Sequence, residues 1–197
     1  LPVDSAQLID TVRRVAGGLQ VAAPVHTPTP TYEGDGDLGR LITVFSTKGG
    51  AGKSVMATNL AVLLAQRSEG TVALIDADLQ FGDIAVMLKL APQHTIVDAV
   101  GSYERLDVGF IETLLSTHAP SGLKVLPAPL EPAFADQIGA EHMSQIVKLL
   151  RSFCSYVVID TPAYFNDVVL SLIEQSDDVL LVAGMDIPNI KNVKIGL

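Results

Sequence analysis

The stretch Lys48-Gly49-Gly50-Ala51-Gly52-Lys53-Ser54 decides the fold. It follows an apolar run at residues 41–45 and opens a run with helical spacing. Glycines let the backbone curl so that several N–H groups converge on one point, and the dipole of the next helix is directed there. Lys53 supplies a positive charge for the β- and γ-phosphates, and Ser54 supplies a hydroxyl for Mg²⁺. The pattern predicts a phosphate-binding loop between a strand and a helix.

One position of this loop departs from the ordinary phosphate-loop pattern. That pattern has a glycine five residues before the Gly-Lys pair, whereas this chain has Thr47 there, followed by a second lysine. A tight turn without a ligand is the alternative interpretation, and the combination of three glycines, two lysines and a serine disfavours it. The predicted nucleotide-binding residues are Lys48, Gly49, Gly50, Ala51, Gly52, Lys53, Ser54 and Val55.

Composition excludes several classes of protein. The 197 residues carry a net charge of −9, which argues against a broad DNA-binding surface, and 5% aromatic residues leave little for base stacking. Cys154 is the only cysteine, which excludes an internal disulfide and fits a cytoplasmic location. No apolar run approaches the roughly 20 residues that span a bilayer. Because the chain begins with Leu, we expect it to be a fragment or a processed product.

Three segments follow from the pattern along the chain. Residues 1–20 contain a helix with one apolar face, and residues 21–39 are a linker rich in proline and glycine. Residues 40–197 alternate apolar runs with helical runs. Strands are predicted at 41–46, 71–76, 123–127, 156–160 and 178–184, and helices at 53–67, 107–118, 139–153 and 166–176, with another opening at 188. Short turns are expected at 84–88 and 95–100. This alternation predicts an α/β, doubly wound, mainly parallel sheet of the P-loop NTPase type.

Carboxylates end two of the predicted strands, at the sheet edge where such folds bind ligands. Asp76 and Asp78 follow one strand and Asp160 ends another, so they are candidates to hold Mg²⁺ or to orient an attacking water. Asp160 has the Walker B arrangement, and the turn after it, at 161–163, is a candidate γ-phosphate sensor. The alternatives are capping of a turn for the first two and simple strand termination for Asp160. Phe81, Met87 and Leu88 are expected to pack in the core rather than to form a partner surface.

The loop, together with Asn59-Leu60-Ala61, Asp76-Ala77-Asp78 and Asp160-Thr161-Pro162-Ala163, resembles the deviant Walker A ATPases of the MinD/ParA superfamily over residues 40–195. The resemblance implies that Lys48 reaches the phosphates of a partner subunit across an ATP-bound homodimer. It implies catalytic roles for Lys48, Lys53 and Asp78, and Mg²⁺ binding through Ser54, Asp78 and Asp160. ATP/ADP and Mg²⁺ are the implied cofactors, with slow, partner-stimulated ATP hydrolysis.

Three stretches resemble the CpaE/TadZ branch, which serves Tad-type pilus assembly and its placement at the cell pole. They are residues 74–85, 95–99 and 186–191. In that branch a receiver-like domain precedes the ATPase, and residues 1–20 resemble its last helix. Two departures are Val55, where a second hydroxyl residue is frequent, and the end of the chain at Leu197, before the further strands and helices of relatives. We therefore expect the ATPase domain, 40–197, to be incomplete at its C-terminus.

The implied function is an ATP-dependent dimerisation switch for pilus assembly or polar localisation. It would be cytoplasmic and recruited to the pole or to the inner face of the membrane by partner proteins. Two alternatives stay open. One is a MinD/ParA-type positioning ATPase for the division site or DNA partition, although the −9 charge disfavours direct DNA binding and no amphipathic membrane helix is visible. The other is a scaffold that binds nucleotide without hydrolysing it.

Overall fold

The structure is a computed structural model that describes residues 38–196, without the side chains of 188–190 and 195–196. The helix expected within residues 1–20 and nearly all of the linker expected at 21–39 lie outside the described residues.

A six-stranded sheet forms the centre of the described part. Its strands lie in the order β3-β4-β2-β5-β1-β6, and every pair is parallel except β3 with β4. This confirms the predicted doubly wound, mainly parallel sheet. The strands are β1 Arg40–Phe45, β2 Val72–Asp76, β3 Ser116–His118, β4 Leu123–Leu126, β5 Tyr156–Asp160 and β6 Asp178–Leu181.

Alternate side chains of the central strands pack on opposite faces of the sheet. In β2, Ala73 and Ile75 belong to one apolar cluster, while Val72 and Leu74 belong to the other. All five residues of this strand are buried, as its continuous apolar sequence requires when helices cover both faces. The core is therefore two aliphatic layers with the sheet between them.

Seven α-helices surround the sheet in the described part of the chain. The first coincides with its prediction at 53–67, and the later ones agree with theirs to within a few residues, with one exception described below. They are α1 Lys53–Arg67, α2 Ile84–Met87, α3 Ile96–Gly101, α4 Val108–Leu114, α5 Ala140–Arg151, α6 Asp167–Gln175 and α7 Ile187–Gly196. Short 3₁₀ turns lie at Tyr103–Arg105 and Pro132–Gln137. Within residues 38–196, no helix combines the length and the apolarity needed to cross a bilayer.

The predicted helix at 107–118 is wrong in its last third. Helix α4 ends at Leu114, and Ser116–His118 forms β3, which pairs antiparallel with β4. The pairing of Ser116–His118 with β4 outweighs the helical spacing, and Pro120 has no N–H with which to continue a helix. The chain turns instead, with the N–H of Ser121 donating to the carbonyl of His118 at 3.1 Å. Strand β6 is also shorter than predicted, because pairing with β1 ends at Leu181.

The strand order brings three strand ends together. Strand β5 lies between β1 and β2, so that Asp160 is in register with Val44 on one side and with Asp76 on the other. The carboxyl ends of the two strands that carry Asp76 and Asp160 therefore adjoin the end of the strand that leads into the glycine-rich loop. We call this the carboxyl edge of the sheet.

Candidate functional site

The glycine-rich loop, residues 46–52, leaves the carboxyl edge after β1. Its first turn is shaped by Ser46, whose buried hydroxyl donates a hydrogen bond to the carbonyl of Lys48 at 2.8 Å. Gly50 and Gly52 have φ values of 76° and 93°, in the left-handed region that costs glycine nothing. The loop can therefore curl tightly before α1 begins at Lys53.

The hollow of this loop is open. A Cβ atom added to Gly49, Gly50 or Gly52 would meet no other atom within 4 Å. The N-terminus of α1 faces the same region, and the first N–H groups of a helix have no partners within the helix. An open hollow with free N–H groups and a helix dipole fits a phosphate group.

Two side chains at the start of α1, Lys53 and Ser54, act on the carboxylate of Asp160. Lys53 is only 8% exposed, so its charge is directed along the protein rather than into solvent. Ser54 is half-buried, and its hydroxyl lies near enough to Asp160 to lower the pKa of that carboxyl, although it falls short of hydrogen-bond geometry. The structure thus brings Lys53, Ser54 and Asp160 together.

Asp160 has an unusual environment. It is 1% exposed, and neither carboxylate oxygen has a hydrogen-bond partner among the described residues. Burial raises its pKa from 3.8 to about 6, while Ser54 and the Lys53 ammonium oppose that rise. Buried polar atoms without a partner are rare and point to a missing ligand. Carboxylate and hydroxyl oxygens are what Mg²⁺ binds, commonly through one or two protein ligands, so these residues fit that ion.

Asp76 lies beside Asp160, but both of its carboxylate oxygens have hydrogen-bond donors. Its Oδ1 accepts the N–H of Asp78 at 3.2 Å, and its Oδ2 accepts the N–H of Ile84 at 3.1 Å. Burial, followed by the charge of Asp160, raises its pKa from 3.8 to about 7, against the effect of these two hydrogen bonds. Asp76 therefore has little free acceptor capacity for a metal ion.

Asp78 is half-buried at the start of the loop that follows β2. One of its carboxylate oxygens accepts the N–H of Phe81 at 3.3 Å. Its negative charge raises the pKa of Asp160, which places the two carboxylates within electrostatic reach of each other. Asp78 retains an oxygen for a water molecule or a metal-bound water at this edge.

Lys48 and Val55 project outward. The side chain of Lys48 is 45% exposed, and its Nζ lies 4.0 Å from Oδ1 of Asp186, too far for a strong ion pair. The ammonium group is accordingly accessible from outside the subunit. Val55 is 53% exposed, which leaves its backbone N–H, in the first turn of α1, as the group that can contact a phosphate.

One sequence-based interpretation does not agree with the structure. Phe81 and Met87 are 74% and 38% exposed, whereas only Leu88 packs inside as expected. Phe81 lies on the loop after β2, and Met87 lies on α2. Thr161 is fully buried, and its hydroxyl donates to the carbonyl of Val44 at 2.8 Å, so a role of the turn 161–163 at the γ-phosphate stays a prediction that concerns its backbone.

Sequence reasoning missed two residues that shape the site. Ser46 gives no signal, because serine between a strand and a glycine-rich loop is ordinary. Gly82 does give one, since an isolated glycine after a strand indicates a turn or a close approach of the backbone. A Cβ at position 82 would lie 2.5 Å from Oδ2 of Asp76, so the loop packs directly on that carboxylate.

Comparison with known proteins agrees with this geometry. The sequence profile of the CobQ/CobB/MinD/ParA nucleotide binding domain matches residues 42–179. The chain is 31% identical to the septum site-determining protein MinD of Thermotoga maritima over 157 residues, which are 79% of this chain and 56% of that protein. It is 33% identical to the antiactivator FleN of Pseudomonas aeruginosa over 152 residues, which are 73% of this chain and 50% of that protein.

A solved structure shares the fold. The MinD protein of Pyrococcus horikoshii, complexed with Mg-ADP, superposes with a TM-score of 0.68 at 21% identity, over 81% of this chain and 64% of that one. Mg-ADP is the ligand of that protein, and the matching family model describes a nucleotide binding domain. The chain spans about half the length of the sequence relatives that it matches. By the profile match across most of its sheet, the chain belongs to the CobQ/CobB/MinD/ParA nucleotide-binding domain family.

Proposed function

We propose that this chain is the nucleotide-binding part of an ATP-dependent dimerisation switch of the deviant Walker A type. It binds ATP with Mg²⁺ at the glycine-rich loop, dimerises, and separates after slow hydrolysis that a partner protein accelerates. The observation that carries the proposal is the buried, unpartnered carboxylate of Asp160 beside Lys53 and Ser54 at the mouth of an open phosphate cradle.

The residues of the loop and of the carboxyl edge have different roles in phosphoryl transfer. Loop N–H groups and Lys53 would hold the β- and γ-phosphates, and Ser54 and Asp160 would hold Mg²⁺, with Asp78 close enough to take part through water. When bound, Mg²⁺ neutralises charge on the phosphate oxygens. Asp78 orients a water molecule whose oxygen forms a bond to the γ-phosphorus. The bond from that phosphorus to the β–γ bridging oxygen breaks, ADP leaves, and the proton from water ends on phosphate.

Lys48 has a separate role in this scheme. Its ammonium group is exposed and only weakly engaged by Asp186 at 4.0 Å, so it is free to contact a second subunit. A positive charge supplied by another protein chain stabilises the charge that spreads over the phosphoryl group during transfer, as an arginine finger does. Two chains facing each other through their carboxyl edges would exchange such lysines.

For the cellular role we propose a positioning ATPase of the MinD/ParA type. Its relatives named for septum placement and for antiactivation support this broader role. The finer proposal, assembly or polar placement of a Tad-type pilus, rests on the sequence resemblance of residues 74–85, 95–99 and 186–191 to the CpaE/TadZ branch. In that role the protein is cytoplasmic and reaches the pole or the membrane face through protein partners. Deleting the gene and counting pili and misplaced septa separates the two roles.

Replacing Lys48 with alanine tests the dimerisation switch. We expect the wild-type protein to shift from monomer to dimer in sedimentation velocity when ATP and Mg²⁺ are added. Lys48→Ala removes the exposed charge without touching Lys53, so it is expected to bind ATP within about threefold of wild type and to stay monomeric. Lys148→Ala removes an exposed lysine of α5 and serves as the matched control, with dimerisation unchanged.

An ATP-dependent dimer that survives Lys48→Ala contradicts the role of Lys48. Phosphate release, measured alongside with Asp78→Ala as the inactive reference, separates the switch from a non-hydrolysing scaffold. A wild-type rate no higher than that of Asp78→Ala would favour the scaffold.

A further inference from the structure

The buried carboxylate of Asp76 is hydrogen-bonded to the loop that carries Asp78. Asp76 is 1% exposed, and each of its oxygens accepts one backbone N–H, from Asp78 at 3.2 Å and from Ile84 at 3.1 Å. These two donors stand at opposite ends of the loop formed by residues 77–83. One side chain therefore binds both ends of the loop.

Gly82 lets the loop lie flat on this carboxylate. A Cβ at position 82 would lie 2.5 Å from Oδ2 of Asp76 and 2.4 Å from the Cβ of Ala128, and atoms do not approach so closely. Any side chain here would push the loop away from Asp76 or from the segment that follows β4. The contact is thus possible only for glycine.

Asp76 is the side chain that fixes the backbone of the loop beyond Ala77. Leu79 and Ile84 are buried in the two apolar clusters, but apolar burial is not directional. Phe81, at the tip, is 74% exposed and gives no inward packing. Three sets of directional bonds involve the loop. The N–H of Ala77 donates to the carbonyl of Asp160 at 2.8 Å, the N–H of Phe81 donates to the carbonyl of Asp78 at 3.2 Å, and Asp76 accepts the N–H groups of Asp78 and Ile84.

We propose that Asp76 is a positioning residue that holds Asp78 in place at the phosphate site, and that Gly82 permits the close approach this requires. Asp76 itself touches neither nucleotide nor water in this account. The inference deepens the proposed function and rests on it, because it assumes that Asp78 orients the attacking water. The anchoring of the loop can nevertheless be measured without any catalysis.

Asp76→Asn tests the proposal, because an amide has one acceptor oxygen and presents an NH₂ group to one of the two N–H donors. We expect kcat for ATP hydrolysis to fall about 10- to 100-fold, since a small displacement of a catalytic group has effects of this size. The Kd for ATP should stay within about threefold of wild type. In hydrogen–deuterium exchange, the amides of Asp78 and Ile84 should exchange about tenfold faster, as expected when a buried hydrogen bond is lost.

The control is Asp83→Asn, the same chemical change in the same loop. Asp83 is exposed and its side chain makes no capping hydrogen bond to α2, so none of the three quantities should change. Gly82→Ala removes the same close contact by another route and should reproduce the Asp76→Asn effects. It also keeps the test decisive if Asp76→Asn does not fold.

Unchanged exchange at the amides of Asp78 and Ile84 overturns the proposal, and so does a kcat within twofold of wild type. A parallel loss of kcat, ATP affinity and melting temperature also overturns it, because that pattern describes general destabilisation. If the wild-type protein releases no phosphate, the proposed function fails, whereas the exchange measurement still decides whether Asp76 anchors the loop.

Discussion

The two edges of the sheet are built on opposite principles. At the amino edge, where the strands begin, Arg151 donates to the carbonyls of Gly39 and Gln175 at 2.8 and 3.2 Å and to Oδ2 of Asp177 at 2.9 Å. That same carboxylate oxygen accepts the N–H of Leu41 at 2.7 Å. At the carboxyl edge, Asp160 is buried, and within residues 38–196 neither of its oxygens has a hydrogen-bond partner.

This difference distinguishes residues that stabilise the fold, such as Arg151, from Asp160, whose environment fits a ligand-binding role. Charges at the amino edge stabilise the protein because each has a nearby counterpart in the chain. The carboxylate of Asp160 costs free energy in the ligand-free protein, because the effect of burial exceeds the compensation from Ser54 and Lys53. The same substitution strategy should therefore have opposite effects on stability at the two edges.

Asp160→Asn is expected to have the largest effects, a loss of ATP hydrolysis together with a gain in stability. We expect ATP hydrolysis to fall about 100-fold or more, because Mg²⁺ loses a carboxylate ligand. The ligand-free protein should at the same time gain about 1–2 kcal/mol in free energy of unfolding at pH 8, since the charge that is removed is buried and only partly compensated. Steady-state phosphate release and urea unfolding measure the two effects. A variant that is both inactive and less stable would contradict the assignment.

Arg151→Met is the counterpart at the amino edge. The substitution keeps the aliphatic stem but leaves two carbonyls without their side-chain donor and Asp177 with only the N–H of Leu41, so we expect a loss of about 2–4 kcal/mol in free energy of unfolding. ATP affinity should not change. Asp178→Asn is the control, because its ion pair with Arg40 is nearly half exposed and should contribute less than about 1 kcal/mol. If Arg151→Met weakened ATP binding in the folded protein, this would contradict a purely structural role for the amino edge.

The free energy of unfolding should also change gradually with pH. The pKa of Asp160 rises from 3.8 to about 6 and that of Asp76 to about 7, so between these values the folded protein binds more protons than the unfolded chain. Unfolding free energy should therefore fall as pH rises from about 4 to about 7, by up to about 1.4 kcal/mol per pH unit for each group. Asp160→Asn should flatten this slope and should stabilise the protein less at pH 5 than at pH 8. Urea unfolding at pH 5, 6, 7 and 8 measures it, and stability that rises across this window would contradict the shifts.

Much of this arrangement follows from local sequence. The apolar runs that end in Asp76 and Asp160 predict buried parallel strands, and the glycine-rich loop predicts the start of α1 at Lys53, because both signals lie within a few residues. The doubly wound fold then brings the strand ends to one edge. The family resemblance adds the expected role of Lys48, which local chemistry does not supply.

What local sequence does not reveal depends on distant contacts. Asp76 and Asp160 look alike as strand-ending carboxylates, yet Asp76 is satisfied by the N–H of Ile84, eight residues away, and Asp160 is not. The antiparallel strand β3 was missed because its pairing with β4 outweighs the helical spacing before it. The exposure of Phe81 was missed because an apolar residue in a short turn has no periodicity to show its side.

The central claim is that the unpartnered carboxylate of Asp160 belongs to a Mg²⁺–ATP site. Isothermal titration of ATP into the protein, with Mg²⁺ and with EDTA, tests it most directly when wild type and Asp160→Asn are compared. The account predicts that Mg²⁺ tightens ATP binding at least tenfold in the wild-type protein and by less than about twofold in the variant. An equal effect of Mg²⁺ in both proteins, or no ATP binding by the wild type, would contradict it.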